Sequence, residues 1–154
     1  MVMIKMLGFL MVGFLGFINH TEVVLEELRA NYAKLSNDKE LCANVIVELD
    51  DIKNKSAIYL GYLGGAQTIN SKHVSNPLNK LKTFNKGKKN IEEAIRIEPE
   101  NLELRFIRLS VQKNAPSFLN YYSKVEEDTQ ILSENRRKIT SINLRRNIEK
   151  ILNE

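Results

Sequence analysis

Apolar residues recur along most of this chain at the three- and four-residue spacing of amphipathic α-helices. Strand signals are nearly absent, because no segment alternates apolar and polar residues for long and no Asn-Gly or Asp-Gly hairpin turn occurs. The connections between the helical segments are short, about two to five residues, which requires consecutive helices to lie antiparallel. We therefore predict an all-α domain over residues 21–154, built of antiparallel helical hairpins stacked as a short solenoid or bundle.

Capping residues and prolines set the boundaries of the predicted helices. Thr21, the group Ser36-Asn37-Asp38, Asn76 and Asn101 stand where helices should start, because side chains of these types can accept hydrogen bonds from the first free N–H groups. Pro77 fits the first turn of a helix, where its missing N–H has no partner to lose. The predicted helices span about 22–35, 39–48, 51–73, 77–97 and 102–113, and Asp50-Asp51 opens the third of them. A short helix follows after residue 116, and then a tail over 125–152 that breaks near residue 140.

The first 20 residues form a separate segment. Lys5 is followed by 13 uncharged residues, from Met6 to Ile18, which resemble the apolar core of a secretory signal peptide. The stretch is short for a membrane span, which needs about 20 apolar residues, and residues 17–20 lack the small residues of a cleavage site. We predict a cleaved signal peptide or an N-terminal anchor over residues 1–20, with a first core helix as the remaining alternative. An exported, periplasmic or cell-envelope protein is therefore expected.

The predicted fourth helix is clearly amphipathic. Lys82, Lys86 and Lys89 gather on the side opposite to its apolar residues. A lysine row of this kind is usually a solvated outer face, and the alternative is a docking surface for an anionic partner. The three lysines are therefore candidate binding residues.

The predicted fifth helix carries apolar residues on two opposite sides, which indicates that it packs between two layers. Arg105, Arg108 and Gln112 share the narrow edge between those sides. Burying an unpaired guanidinium is very unfavourable, so both arginines need partners. Two alternatives remain open: ion pairs with the acids at 98–103 or 126–128, or a groove in which the arginines bind a carboxylate or phosphate.

The predicted third helix holds a row of small residues, Ala57, Gly61, Gly65 and Thr68. Each glycine inside a helix costs about 1 kcal/mol relative to alanine. The row predicts a close approach of the fourth helix near Gly87, and the alternative is a flexible site that admits a ligand.

Part of the chain resembles a tetratricopeptide repeat. The spacing Gly87-x3-Ile91-x2-Ala94-x4-Pro99 is similar to the small, large, alanine and proline positions in the second helix of that repeat. The next helix departs from the family, because two arginines replace its usual aromatic residue and leucine, and a lengthened turn before the fourth helix breaks the repeat period. The resemblance implies a protein or peptide partner held in a groove. A broader similarity to small exported bacterial helical proteins with one degenerate repeat implies an envelope location and supplies no activity.

Composition excludes several classes of protein. The 154 residues are 43% hydrophobic and 27% charged, which fits one folded domain. The single cysteine, Cys42, lies among apolar residues and is expected to be a buried, unreactive thiol. No Gly-rich phosphate loop, HExxH motif or Gly-x-Ser-x-Gly elbow occurs. We predict no catalytic residue, no cofactor and no bound metal.

The net charge of +4 is unevenly distributed. Residues 21–51 hold eight acids and three bases, whereas residues 72–97 hold seven bases and two acids. A dipolar surface of this kind lacks the basic excess and interleaved aromatic residues of nucleic-acid binders, so no nucleic-acid partner is expected.

The sequence favours a non-enzymatic protein–protein interaction module of the cell envelope. Its partner is a protein or peptide, and contact with a membrane is expected only through residues 1–20 if they remain uncleaved. The alternative is a small anionic-ligand binder or enzyme that uses Arg105 and Arg108.

Overall fold

The computed structural model describes residues 20–154 of the chain. Those residues form seven α-helices and no β-strand, which confirms the predicted all-α fold. The predicted signal peptide or anchor lies outside the described residues, apart from His20. Within the described part, no helix is long and apolar enough to cross a membrane. The helices are α1 (His20–Asn31), α2 (Lys39–Asp51), α3 (Ala57–Asn70), α4 (Pro77–Ile97), α5 (Leu102–Asn114), α6 (Val125–Asn135) and α7 (Ile142–Asn153).

Side-chain caps start four of these helices. Asn76 and Asn101 each accept hydrogen bonds from two free N–H groups in the first turns of α4 and α5, and Pro77 occupies the first turn of α4. Asp38 and Ser141 cap α2 and α7 in the same way. The predicted caps at Asn76 and Asn101 are therefore confirmed, and so is the one within residues 36–38, because these side chains satisfy N–H groups that have no partner inside the helix.

The predicted start of the third helix at Asp50-Asp51 is wrong. α2 continues through both aspartates. Lys55 then bends back, and its Nζ donates to the carbonyl oxygens of Asp50 and Ile52, both at 2.8 Å. This lysine satisfies carbonyl groups that the end of α2 leaves free, so the helix stops there and α3 begins only at Ala57.

Two further boundaries differ from the prediction. α1 begins at His20 and thus includes Thr21, the expected cap. The short helix expected after residue 116 is a single 3-10 turn, Ser117–Leu119. Asn120 ends that turn with a φ of 49°, a left-handed conformation that asparagine adopts more readily than most residues.

The backbones of α3 and α4 are in close contact at their centres. A Cβ added to Gly64 would lie 2.6 Å from the Gly87 carbonyl oxygen and 2.8 Å from the Ile91 nitrogen. A Cβ added to Gly87 would lie 2.7 Å from the Thr68 nitrogen. Only glycine fits at either position, because backbone atoms cannot move aside as side chains do. The predicted approach near Gly87 is confirmed, and it involves Thr68 of the predicted row together with Gly64, which lies outside that row.

The two glycines of the predicted row have neighbours in several elements. A Cβ added to Gly61 would meet the side chains of Leu104 in α5 and Ala94 in α4, and one added to Gly65 would meet Tyr32 and Ile107. These neighbours bury α3 among several elements. Most of its residues from Gly61 onwards are accordingly inaccessible to solvent.

Helix directions place the carboxyl ends of α1, α3, α5 and α7 at one end of the molecule. Asn143 donates to Glu26 at 2.9 Å and Asn147 donates to the Arg29 carbonyl at 2.7 Å, so α1 and α7 run parallel. Lys113 near the end of α5 donates to a carbonyl near the end of α7. We call this end the carboxyl-end face, and the opposite one the amino-end face.

Replacing Gly64 by alanine should lower the free energy of unfolding by about 1–3 kcal/mol, the usual penalty of overpacking. The better helix propensity of alanine offsets only part of that loss. Urea midpoints measure the effect. Gly61→Ala is the matched control, because its nearest obstacle is the movable end of the Leu104 side chain. A Gly64→Ala midpoint equal to that of the wild type or above it would contradict the close backbone contact.

Candidate functional site

A groove of about 490 Å³ opens at the carboxyl-end face. Known ligand pockets occupy about 300–1,000 Å³, so the volume is sufficient for a ligand or for several side chains of a partner. The first half of α4 and the 3-10 turn after α5 line its sides. Its apolar lining residues are Ala33, Ile69, Pro77, Leu81, Phe84, Phe106, Val111, Ala115, Pro116, Phe118, Leu119 and Ile151.

The apolar surface continues from the floor of the groove to its rim. Phe84 and Phe106 are buried, whereas Leu81 and Phe118 at the rim are 43% and 78% exposed. Leu78, one turn before Leu81 on α4, is 71% exposed. A groove that continues into exposed apolar side chains is typical of a surface that meets a partner.

Three lysines line the groove beside its apolar surface. Lys72 follows α3, Lys80 lies on α4 and Lys150 on α7. Glu154 is the one acidic residue among the described lining residues, and its carboxylate is 3.9 Å from Lys150 Nζ. The groove is therefore apolar inside and positively charged in balance.

Tyr121 holds one wall of the groove in place. Its hydroxyl donates to Glu92 Oε1 at 2.7 Å, and its ring packs edge-on against Phe84 with centroids 6.0 Å apart. Lys88 Nζ lies 4.8 Å from the ring centroid. Burial, together with the bond to Glu92, raises the pKa of the hydroxyl well above its ordinary value, so the group remains a donor. This anchor ties the segment that carries Phe118 to α4.

Tyr32 positions the opposite side. Its hydroxyl is 3.2 Å from Ser110 Oγ, and its ring packs edge-on against Phe106 and Tyr62, with centroids 5.8 and 5.5 Å away. Burial raises the pKa of Tyr32 to about 12. Tyr32 and Tyr121 therefore both remain neutral at physiological pH, and neither side of the groove acquires a charge from its tyrosine.

The two predicted binding arginines pair with acids of the protein. Asp128 is fully buried and accepts hydrogen bonds from Arg108 Nε at 2.7 Å and Arg108 Nη2 at 2.8 Å. Arg105 Nη1 lies 3.0 Å from Asp128 and 3.1 Å from Glu127, and Arg108 Nη1 lies 3.1 Å from Glu92. Of the two alternatives from the sequence, these contacts correspond to internal ion pairs with the acids at 126–128.

The other predicted binding residues fall into two separate places, Gln112 in the interior and the three lysines on the outer side of α4. Gln112 is buried beside the arginines, where its Oε1 accepts from the Lys124 N–H and its Nε2 contacts no hydrogen-bond acceptor in the described part. Lys82, Lys86 and Lys89 are exposed on α4. None of these four residues lines the groove, so the structure does not bring the predicted binding residues together in one site.

A second buried ion pair was not predicted from the sequence. Glu103 at the start of α5 accepts hydrogen bonds from Arg29 Nε and Nη2, both at 2.7 Å, and from the Tyr62 hydroxyl at 2.5 Å. The pairing with Glu103 raises the pKa of Arg29 above its already high value. The sequence did indicate that Arg29 is buried and needs an acidic partner, because it lies four residues after Leu25, on the apolar side of α1.

The groove itself was also missed. Its side at Phe118 comes from a segment too short to show helical periodicity, and its lysines come from three separate elements. Such a site depends on how the helices pack against each other, and no local sequence pattern predicts that packing.

Comparisons give no family for the chain. No protein-family model, curated protein or solved structure matches it, so the resemblance to the tetratricopeptide repeat stays a prediction. No group of three or more His, Cys, Asp or Glu side chains in the described part is arranged to hold a metal ion.

Removing either partner of the buried pair should destabilise the protein strongly. We expect Arg108→Met and Asp128→Leu each to lower the free energy of unfolding by about 3 kcal/mol, because each removes the partner that makes two hydrogen bonds to a buried charge. Only one longer contact then remains, from Arg105 to Asp128 or from Arg108 to Glu92. The double variant should lose less than the sum of the two, which a double-mutant cycle from urea unfolding measures. Arg96→Met, in an exposed pair with Glu93, is the control and should change little. Strictly additive losses would contradict the coupling.

Cys42 should react only when the protein opens. The thiol is buried, its Sγ lies 3.4 Å from the Ala66 carbonyl oxygen, and burial raises its pKa to about 11. Because the thiolate is the nucleophile, Ellman's reagent at pH 8 should modify it slowly in buffer and rapidly in urea. Rapid, complete modification of the folded protein would show that the thiol is accessible.

Proposed function

We propose that the chain is a non-enzymatic protein-interaction module of the cell envelope, and that the groove at the carboxyl-end face holds an apolar segment of its partner. The continuity of a buried apolar floor with an exposed apolar rim carries this proposal. The envelope location rests on the sequence of residues 1–20.

The rim favours a protein over a small molecule. A small ligand inside the groove would leave Leu78 in water, since this side chain is 71% exposed and does not line the cavity. An amphipathic helix laid across the groove would cover Leu78 and Phe118 together with the floor. Burial of apolar surface contributes about 25 cal/mol per Å², so the exposed rim adds affinity only for an occupant large enough to reach it.

The charge of the groove limits the chemistry of the partner. Lys72, Lys80 and Lys150 stand beside the apolar lining and face a single carboxylate, that of Glu154. A partner helix with acidic residues flanking its apolar side would match this pattern, and its association would be steered by the lysines. We therefore propose an acidic amphipathic segment as the occupant.

The alternative function, a small-anion binder or enzyme that uses Arg105 and Arg108, has weaker support. Asp128, Glu127 and Glu92 already pair with these guanidinium groups. An anionic ligand would have to replace carboxylates that are in place, one of them fully buried. A partner that covers the exposed apolar residues at the rim of the groove displaces no carboxylate.

Photo-crosslinking in the host cell tests the proposed function. A photoreactive residue replaces Phe118, and in a control variant it replaces Val47, which is 61% exposed on α2 and does not line the groove. We expect a discrete protein adduct at position 118 and none at 47. With the adduct partner purified, Phe118→Ser should weaken binding at least about tenfold, or 1.4 kcal/mol, and Val47→Ser should leave it unchanged.

Two outcomes would reject the proposal. One is the same set of adducts at both positions, which would indicate random encounter. The other is a partner whose affinity is indifferent to Phe118→Ser while Arg105→Met and Arg108→Met abolish it without loss of stability. That second result would favour the arginine-based alternative.

A further inference from the structure

A second exposed surface lies at the amino end of α7 and is strongly basic. Arg136, Arg137 and Lys138 form a 3-10 turn after α6, and Arg145 and Arg146 follow on α7. All five are exposed, and none forms an ion pair with another described residue. We call these five residues the basic surface.

The basic surface is continuous. Arg145 Nη2 donates to the Ile139 carbonyl oxygen at 2.6 Å, which places the start of α7 directly against the end of the basic turn. No acidic residue occurs between Arg136 and Ile148. Five positive charges therefore gather on about 11 residues with no negative charge among them.

An exposed apolar residue lies within this surface. Ile142, the first residue of α7, is 66% exposed. Because positions three and four apart share one side of a helix, Ile142 lies on the same side as Arg145 and Arg146. A large apolar side chain surrounded by arginines is typical of segments that lie in the headgroup region of a bilayer.

We propose that the basic surface docks on the anionic headgroups of a lipid bilayer, with Ile142 entering the interface between headgroups and acyl chains. The nearby acids of the described chain form no ion pair with it. Glu22 and Glu26 both pair with Arg29, at 2.8 and 2.7 Å, and Glu134 and Glu149 flank the basic surface along the chain without pairing with it. The apolar Ile142 favours lipid over nucleic acid, which offers phosphates but no apolar layer beneath them.

The position of the basic surface agrees with this assignment. α1 and α7 run parallel, so α1 begins at the same amino-end face, and the sequence immediately before it is the apolar stretch from Met6 to Ile18. If that stretch remains as an anchor, it brings the basic surface to the bilayer. If it is cleaved, the basic surface acts alone.

Flotation of the full chain with lipid vesicles tests the proposal. Vesicles of phosphatidylcholine alone give the baseline, and vesicles with 30% phosphatidylglycerol supply the anionic surface. The test variant is Arg136→Gln, Arg137→Gln, Lys138→Gln and Arg146→Gln; Arg145 is kept because it bonds to Ile139. The matched control removes four exposed lysines elsewhere: Lys39→Gln, Lys82→Gln, Lys86→Gln and Lys89→Gln.

We expect the wild type and the control to bind anionic vesicles better than neutral ones, with the gain falling at high salt. Each basic residue near an anionic surface strengthens binding about fivefold, so the test variant should lose at least about tenfold of that gain. Ile142→Ser should reduce binding to anionic vesicles while its salt dependence stays as in the wild type.

Three results would overturn the proposal. The wild type could bind both vesicle types equally, or the control could lose as much binding as the test variant. A duplex oligonucleotide could also displace the wild type from anionic vesicles at 0.15 M salt and fail to bind the test variant, which would assign the basic surface to nucleic acid. Melting temperatures of all variants establish that each one is folded before its binding is compared.

Discussion

The backbone contact between Gly64 of α3 and Gly87 of α4 is the constraint on which the remaining arrangement depends. With no Cβ on either residue, the two helices approach so closely that a Cβ added to Gly64 would lie 2.6 Å from the Gly87 carbonyl oxygen. α4 is thereby fixed at its centre, and its two halves serve different purposes. Its first half lines the groove with Leu81 and Phe84, and its second half brings Glu92 to Arg108 and to the hydroxyl of Tyr121. A wider spacing of α3 and α4 would disturb both.

α5 is the second organising element, because its polar residues contact four neighbouring helices. Glu103 binds Arg29 of α1 and Tyr62 of α3, whereas Arg108 binds Asp128 of α6 and Glu92 of α4. Buried ion pairs add little net stability compared with apolar residues of the same volume, but losing one partner is severe. We infer that the two pairs chiefly set the register of the helices around α5, since an apolar helix could slide by a turn without leaving a charge unpaired.

The sequence predicted what local chemistry controls. The caps at Asn76 and Asn101 and the two-sided α5 follow from side chains acting on their own backbone and from periodicity. Prediction from the sequence failed where a contact between distant residues, or an unusual contact, determines the structure. Lys55 ended α2 where the aspartates suggested a new helix, and the partner of Arg29 lies 74 residues away in α5. The groove could not be predicted at all, because it is the space left between the ends of several helices.

The two exposed surfaces adjoin on α7, and this neighbourhood has a physical consequence. The basic surface includes Arg145 and Arg146, and Asn147 and Lys150 of the same helix line the groove. Arg146 and Lys150 are four residues apart, so they lie on successive turns of one side of the helix. Charged residues this close do not contribute independently. A bilayer bound through the arginines would therefore also attract Lys150, and would weaken the attraction that this lysine offers to an acidic partner in the groove.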